Sequence, residues 1–315
     1  MVKLRAGVIG VGHLGQHHAR LYASLPDSTL VGVVDQHHGR ASAIAEKHGA
    51  HVFDALPDLL RQVDVVSIAV PTSGHYPLAK ACLEVGKHVL VEKPLAVLPM
   101  EAEELLELAE HNGCTLQVGH SERFNPIMQM MRPLIRRPVL FECHRLGTYS
   151  ERGTDVDVVL DLMIHDLDLV LSCNPGPIED VRAAGISVLS STCDVANARI
   201  QFGNGCIANL TASRTSPKAM RQWRVFQPDS CLSIDFQSRR GAIGRRTTES
   251  GRKPIMTVEE IHAGDDEPLK LQLESFLRAI REKSRPVVSG EDGAAALKLA
   301  HHVLSAISAD VRRNA

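Results

Sequence analysis

Over its first third the chain alternates short, unbroken apolar runs with longer stretches of mixed polarity. LRAGVI (Leu4–Ile9), TLVGVVD ending at Asp35, VDVVSIAVP (Val63–Pro71), KHVLVEKPLA and TLQVGH each read as a strand. Apolar runs without polar alternation suit strands covered on both faces of a parallel sheet. Between them, GQHHARLYASL, HYPLAKACLEVG and MEAEELLELAEHNG read as helices. Ala19, Leu21, Tyr22 and Leu25 supply the packing face of the first, and Gly86 stands in a C-cap position after the second. Strand and helix alternating at this pace predict a doubly wound, right-handed parallel α/β sheet.

Beyond about residue 120 the pattern changes. PVLFECHRLG, ISVLSS, VANARIQF, GCIANLTASR and WRVFQPD are β-like runs, FGNGC is a hairpin signal, and LKLQLESFLRAIREK and AALKLAHHVLSAISADV predict two late helices. One apolar stretch stands out for its charges. LDLMIHDLDLVL (Leu160–Leu171) carries a histidine and three aspartates. On an α-helix, Asp157, Asp161, His165 and Asp168 fall within an arc of roughly 80°, while Asp166 points away from it. Such a helix is expected to be buried with that stripe facing a polar cleft. Acid–base machinery, a shared metal ion and a structural polar stripe are all open readings of it. A third metal ligand of clear spacing is missing.

Composition narrows the classes. The chain has 315 residues, enough for one large or two medium domains. A formal net charge of −2 argues against nucleic acid or an anionic membrane as an obligate partner. The basic cluster Arg239, Arg240, Arg245 and Arg246 reads either as a solvated loop or as a contact for a phosphate-bearing small molecule. No run reaches the ~18–20 apolar residues of a membrane span, and MVKLRAGVIG has no secretory h-region. Seven scattered cysteines with no C-x-x-C pair suit reduced thiols and a cytoplasmic protein. The adjacent histidine pairs His17–His18 and His301–His302 do not share a helix face, and His37–His38 reads as a loop, so all three read as surface residues rather than ligands.

The first apolar run leads straight into GVGHLG, with Gly10, Gly12 and Gly15 between strand and helix. In that context, Gly10 permits the tight turn, Gly12 admits a pyrophosphate to the backbone and Gly15 lets helix and strand approach. The helix N-terminus then offers N–H groups and partial positive charge to phosphates. Asp35 lies about 20 residues after Gly15, where an acid accepts hydrogen bonds from the adenosine ribose and repels a 2′-phosphate. NAD is therefore favoured over NADP, with Arg40 close by in sequence. Lys93 follows at a strand's carboxyl end, where ligands of open α/β sheets bind.

VPTSGHYPLAKACLEVGKHVLVEKPLA, together with the glycine turn, VGHSERFNP, a D-x-x-x-H helix and PVVSGEDGAAALKLA, resembles the glucose–fructose oxidoreductase/inositol dehydrogenase (Gfo/Idh/MocA) family of NAD(P)-dependent sugar dehydrogenases. The resemblance implies a Rossmann domain over 1–119. It also implies a substrate-binding and oligomerisation α/β domain over 120–315, with a large, mostly antiparallel sheet. It implies catalytic roles for Lys93, His165 and Asp161, with histidine suited to take a hydroxyl proton near neutral pH. Gly10, Gly12, His13, Leu14, Gly15, Asp35, Pro71, Thr72, His75, Glu92 and Lys93 are the implied cofactor residues. Arg123, Asn125, Tyr149, Asp161 and His165 are the implied substrate residues, with Phe124 left to packing. Arg145, Arg152 and Arg214 are further candidates for sugar or diphosphate contacts. Asp168 lies on the stripe without an assigned role.

DVDVVLDLMIHDLDLVL with VANARIQFGNGCIANLTASR and WRVFQPDSCLSIDF is similar to one branch, the UDP-N-acetylglucosamine 3-dehydrogenases of bacterial lipid A biosynthesis. GTDVDVVLD stands where the family carries a Gly-Gly-rich stretch. That branch implies a nucleotide-sugar substrate and a pathway aminotransferase as partner; the dehydrogenase context accounts for the stripe without a metal, and a sheet with a second face needing cover predicts a homodimer or homotetramer. A dehydrogenase for another nucleotide-sugar or an inositol-like polyol, and a non-catalytic NAD-binding sensor, are the alternatives.

Overall fold

The computed structural model describes residues 2–149, 156–247 and 254–314. In chain order the elements are β1 (Leu4–Ile9), α1 (Gly15–Ser24), β2 (Ser28–Val34), α2 (His38–His48), β3 (His51–Val52), α3 (Leu56–Leu60), β4 (Val65–Ile68), α4 (His75–Glu84), β5 (His88–Glu92), α5 (Pro99–His111) and β6 (Leu116–Gly119). Then come α6 (Pro126–Met131), β7 (Leu140–Leu146), a π-helical turn Val159–Met163 running into α7 (Ile164–Ser172), and β8 (Ile178–Ile186). There follow β9 (Val195–Phe202), β10 (Ile207–Ser213), β11 (Met220–Phe226), β12 (Ser230–Asp235), β13 (Arg240–Thr247), β14 (Ile255–His262), α8 (Pro268–Glu282) and α9 (Gly290–Asn314).

Two compact units result. The first comprises Met1–Ser121 and Glu267–Leu297, the second Glu122–Asp266 and Lys298–Ala315. A single cut at 119/120 therefore leaves out a return of the chain. In α8, Leu273, Phe276 and Leu277 recur at i, i+3 and i+4 and join the buried cluster of Ala19, Tyr22 and Val33 in the first unit. Each such side chain contributes about 1.5–3 kcal/mol by burial. Periodicity reveals that amphipathic face but not which sheet it covers.

The first unit's six strands are all parallel in the order β3-β2-β1-β4-β5-β6, the dinucleotide-fold order. All of β4 and β6 is buried, the polar Ser67 and Gln117 included, as strands covered on both faces of a parallel sheet are. This order puts the carboxyl ends of β1, β4 and β5 side by side, and with them the loops that carry Gly10, Thr72 and Lys93.

The second unit's eight strands run β14-β13-β12-β11-β7-β10-β9-β8, antiparallel except for the β7–β10 pair. In β9, Ala196, Ala198, Ile200 and Phe202 are buried while Asn197, Arg199 and Gln201 are exposed, the period of two of a strand with one covered face. Trp223 of β11 anchors that face, edge-on to Phe141 at 5.6 Å and Phe236 at 5.9 Å.

ISVLSS does not form a strand; β8 is instead IEDVRAAGI. The backbone N–H groups of Val188, Leu189 and Ser190 donate to the Asp194 carboxylate at 2.7, 2.6 and 2.9 Å. A turn closed on a buried acid thus replaces the ladder that the apolar run suggests.

Candidate active site

The cofactor side is built by the first unit. Gly10 has φ +81°, and a Cβ there would stand 2.7 Å from a Val70 methyl and 2.8 Å from the Ala69 carbonyl oxygen. A Cβ on Gly15 would stand 1.7 Å from the Gly10 carbonyl oxygen, so only glycine lets α1 begin where it does. Gly12 faces open space apart from the Arg40 guanidinium at 3.5 Å. No side chain caps the start of α1, where Leu14 is the N-cap residue. His13 and Leu14 are exposed at that start. An uncapped helix end above a cleared glycine turn fits the pyrophosphate of a dinucleotide.

Asp35 follows β2, and each of its oxygens accepts from backbone: Oδ2 from Val11 N–H and Oδ1 from His37 N–H, both at 2.8 Å. Arg40 lies 3.6 Å from Oδ2. The carboxylate fastens the glycine turn to the end of β2, and a second lone pair on each oxygen remains for hydroxyl donors.

The loops after β4 and β5 are tied together by His75. Its Nδ1 lies 2.6 Å from the Pro94 carbonyl oxygen and its Nε2 2.9 Å from that of Val70. Burial pushes the His75 imidazole below its ordinary pKa, against the two carbonyls, which pull it up. Pro71 is exposed and Thr72 buried in the short turn ahead of α4. Lys93, half-buried, directly follows β5 and joins Pro94 through a cis peptide. Glu92 is 7% exposed and turns inward. Its Oε1 meets His18 Nε2 at 2.9 Å.

That contact corrects the surface reading of the His17–His18 pair. His18 is fully buried, on the face of α1 shared with Ala19, Leu21 and Tyr22. That neighbours on a helix diverge says nothing about which of them faces the sheet. His37 and His38 are exposed, at the start of α2.

In the second unit, Asp161 and His165 lie half-buried on the continuous helix formed by the π-helical turn and α7. The π-helical turn sits between Asp157 and His165, so the stripe reckoned on a uniform α-helix is broken. Asp157 accepts from Cys193 N–H at 2.8 Å. Asp166 and Asp168 are 2% and 1% exposed, and both are paired. Arg145, on the covered face of β7, donates from Nε and Nη2 to the two Asp166 oxygens at 2.9 Å and from Nη1 to Glu122 at 3.0 Å. Trp223 Nε1–H adds a bond to Asp166 at 2.9 Å. Arg123 holds Asp168 in a two-pronged pair at 2.8 and 2.7 Å. These aspartates fix the helix that presents His165.

The same geometry corrects two arginine assignments. Arg145 is buried and committed to Asp166 and Glu122. Arg214 is buried beside Asp194 and donates to the carbonyls of Val156 and Cys193. Asn125 caps α6, and its amide donates to Glu122 and to the Phe236 carbonyl. Tyr149 is 42% exposed; Arg152 lies outside the described residues. Of the basic cluster, Arg239 lies 3.4 Å from Asp265 and Arg245 pairs with Glu259 at 2.7 Å. Arg245 and Arg246 also line a cavity of about 380 Å³ with Arg136 and Arg137. Among the described residues, no group of three His, Cys, Asp or Glu could hold a metal ion, and no helix is long and apolar enough to cross a membrane.

Residues 4–120 match the oxidoreductase family described as an NAD-binding Rossmann fold, and residues 136–228 match the GFO/IDH/MocA C-terminal domain. The UDP-N-acetylglucosamine 3-dehydrogenase of Acidithiobacillus ferrooxidans is 36% identical over 99% of this chain and 100% of its own. Its solved structure superposes with a TM-score of 0.92, covering 98% of this chain and 99% of that one. An inositol 2-dehydrogenase of Rubrobacter xylanophilus is 35% identical over 59% of this chain and 56% of its own. A levoglucosan dehydrogenase in complex with NADH, 17% identical over 98% of this chain and 97% of that one, shares the fold with a TM-score of 0.88.

Proposed function

Because this chain belongs to the Gfo/Idh/MocA oxidoreductase family, we propose that it oxidises the 3-hydroxyl of UDP-N-acetylglucosamine to a ketone with NAD as hydride acceptor. The observation that carries this reading is a likeness of 36% identity running the full length of both chains, through the substrate unit as well as the cofactor unit. The inositol dehydrogenase match of comparable identity covers little more than half of each chain.

Bound NAD supplies the acceptor for the hydride that leaves the sugar carbon. The protein supplies the rest. The glycine turn and the uncapped start of α1 hold the pyrophosphate, and Asp35 accepts from the ribose hydroxyls while disfavouring a 2′-phosphate. His165 is the general base for the hydroxyl proton, and Lys93 is a hydrogen-bond donor that stabilises negative charge as it develops. Asp161 orients the imidazole or binds a neighbouring sugar hydroxyl. Arg123 and Asn125, both engaged in hydrogen bonds of the fold, serve the substrate by placing α7 and α6, and Tyr149 is a contact for it. All seven cysteines are free thiols, in keeping with a reducing, cytoplasmic setting. An aminotransferase that consumes the 3-keto sugar is the expected pathway partner, and the protein is read as a homodimer or homotetramer.

Absorbance of NADH with purified protein, NAD and a panel of UDP-N-acetylglucosamine, other UDP-sugars and myo-inositol tests the assignment. UDP-N-acetylglucosamine is expected to turn over best. His165→Asn and Lys93→Met should each lower kcat by about 10²–10⁴-fold with NADH affinity retained. Turnover of myo-inositol without UDP-N-acetylglucosamine overturns the substrate. NADH binding with no turnover of any member, unchanged by His165→Ala, favours the sensor.

A further inference from the structure

Four polar side chains inside the first unit form one line. Tyr22 Oη lies 2.9 Å from Ser67 Oγ, Ser67 Oγ lies 3.1 Å from His18 Nδ1, and His18 Nε2 lies 2.9 Å from Glu92 Oε1. None of the four is more than 7% exposed. With His18 neutral, every group in the line is satisfied in one direction. The Tyr22 hydroxyl donates to Ser67, Ser67 donates to Nδ1, and Nε2–H donates to the carboxylate. Burial pushes the Tyr22 phenol pKa up, so it stays protonated and can head the chain. Gly119 of β6 makes room at the far end, since a Cβ there would stand 2.7 Å from Glu92 Oε2. A cleared backbone, a donor chain and a buried acid are more than packing alone requires, because a buried polar line costs stability unless every member is paired.

We propose that His18 is a positioning residue for the dehydrogenase reaction, holding the Glu92 carboxylate charged and fixed at the strand end that presents Lys93. The proposal rests on the dehydrogenase reading, and one arm of its test needs no substrate. The groups facing Glu92 are His18 on α1, Lys93 at the end of β5 and His75 on α4, with Gly119 of β6 beside its Oε2. Burial alone would raise the Glu92 carboxyl. The hydrogen bond from His18 and the positive charge of Lys93 hold it below its ordinary value. The attraction between Glu92 and Lys93 is mutual, so a carboxylate fixed in place restrains the lysine's charged end at the mouth of the sheet. Without His18 the balance tips towards burial, and Glu92 takes up a proton at higher pH.

The test is a double-mutant cycle between His18→Leu and Glu92→Gln, read as kcat/KM against pH and as thermal midpoint against pH. His18→Leu is expected to lose several-fold more kcat/KM at pH 5 than at pH 8, because its raised Glu92 carboxyl takes up a proton first. His18→Gln, whose amide still reaches Glu92, should restore most of that loss. On a Glu92→Gln background, His18→Leu should change neither pH profile further. In the thermal arm, the gap between wild type and His18→Leu should narrow as pH falls from 7 to 4.5, because the raised Glu92 carboxyl of the variant protonates first and its buried charge is relieved. Equal losses at every pH, or additive effects of the two substitutions, overturn the proposal. If His18→Leu fails to fold, Tyr22→Phe removes the head of the chain and should give a smaller shift of the same sign. No shift from it refutes the relay.

Discussion

Arg145→Met is the most informative single change in the second unit. The guanidinium is 3% exposed and makes three hydrogen bonds to two buried carboxylates. The attraction of Asp166 and Glu122 holds the Arg145 pKa above its already high ordinary value, against burial, so the ion is permanently charged. Methionine fills much of the volume but leaves Asp166 with only the Trp223 N–H, and Glu122 with Asn125 and the more distant Arg221. Breaking a buried pair by removing one partner costs about 3–5 kcal/mol, most of it from the charge left behind. At roughly 2 °C per kcal/mol for a chain of this size, the midpoint should fall by about 6–10 °C. The double variant Arg145→Met/Asp166→Asn removes one orphaned charge while keeping an acceptor for Trp223. It should be more stable than the sum of its parts by at least about 1 kcal/mol. Thermal and urea unfolding measure the cost, and steady-state kinetics with NADH titration locate it. Because Asp166 follows His165, kcat should fall while NADH affinity, a property of the first unit, holds. A single variant within about 1 kcal/mol of wild type, or an additive pair, refutes the reasoning.

Gly15→Ala places a methyl 1.7 Å from the Gly10 carbonyl oxygen, so NADH binding followed by fluorescence should be abolished; retained affinity would show that the turn does not hold the cofactor. Asp35→Asn keeps an acceptor for the backbone but drops the charge beside Arg40. Its preference for NAD over NADP should fall about tenfold, consistent with ~1.4 kcal/mol of lost charge repulsion, and an unchanged ratio of dissociation constants would assign the selectivity elsewhere. Asp194 sits below the carboxylate range because the Ser190 hydroxyl and three backbone N–H groups outweigh burial. A depressed folded pKa adds stability that is present at neutral pH and lost as pH falls through it. Asp194→Asn should therefore cost stability at pH 7, with the gap starting to narrow only as pH falls below about 4; curves that stay parallel there would contradict the assignment.

What the sequence makes legible is whatever is encoded locally. Strand, glycine turn, helix and acid follow one another within 35 residues, and each has its own signature from Leu4 to Asp35. The parallel sheet order then follows from alternation. β13 and β14 escape notice because their pattern is poor. RGAIGRRT carries two glycines and three arginines, and IMTVEEIH is exposed along nearly its whole length, so neither shows apolar alternation. His18 is missed because its burial depends on which face of α1 meets the sheet. The roles of Asp166 and Asp168 are missed because their partners, Arg145 and Arg123, lie 21 and 45 residues away. Arg145 looked like a sugar contact for the same reason: in sequence a buried pair and an exposed cation read alike.

The π-helical turn at Val159–Met163 gives the segment's length a meaning that its composition lacks. Downstream, α7 is held by Asp166 and Asp168, so a chain shortened by one residue within the turn has nowhere to absorb the change except upstream. Restoring an ordinary α-helix there would rotate Asp161 and Asp157 by about 100° relative to a stationary His165. A homologue one residue shorter in this stretch would therefore present a different acid beside the histidine, even where both letters persist. When such sequences are aligned, a one-residue gap placed here is a statement about chemistry, and a library of single-residue deletions across 158–164 would read the segment's tolerance directly.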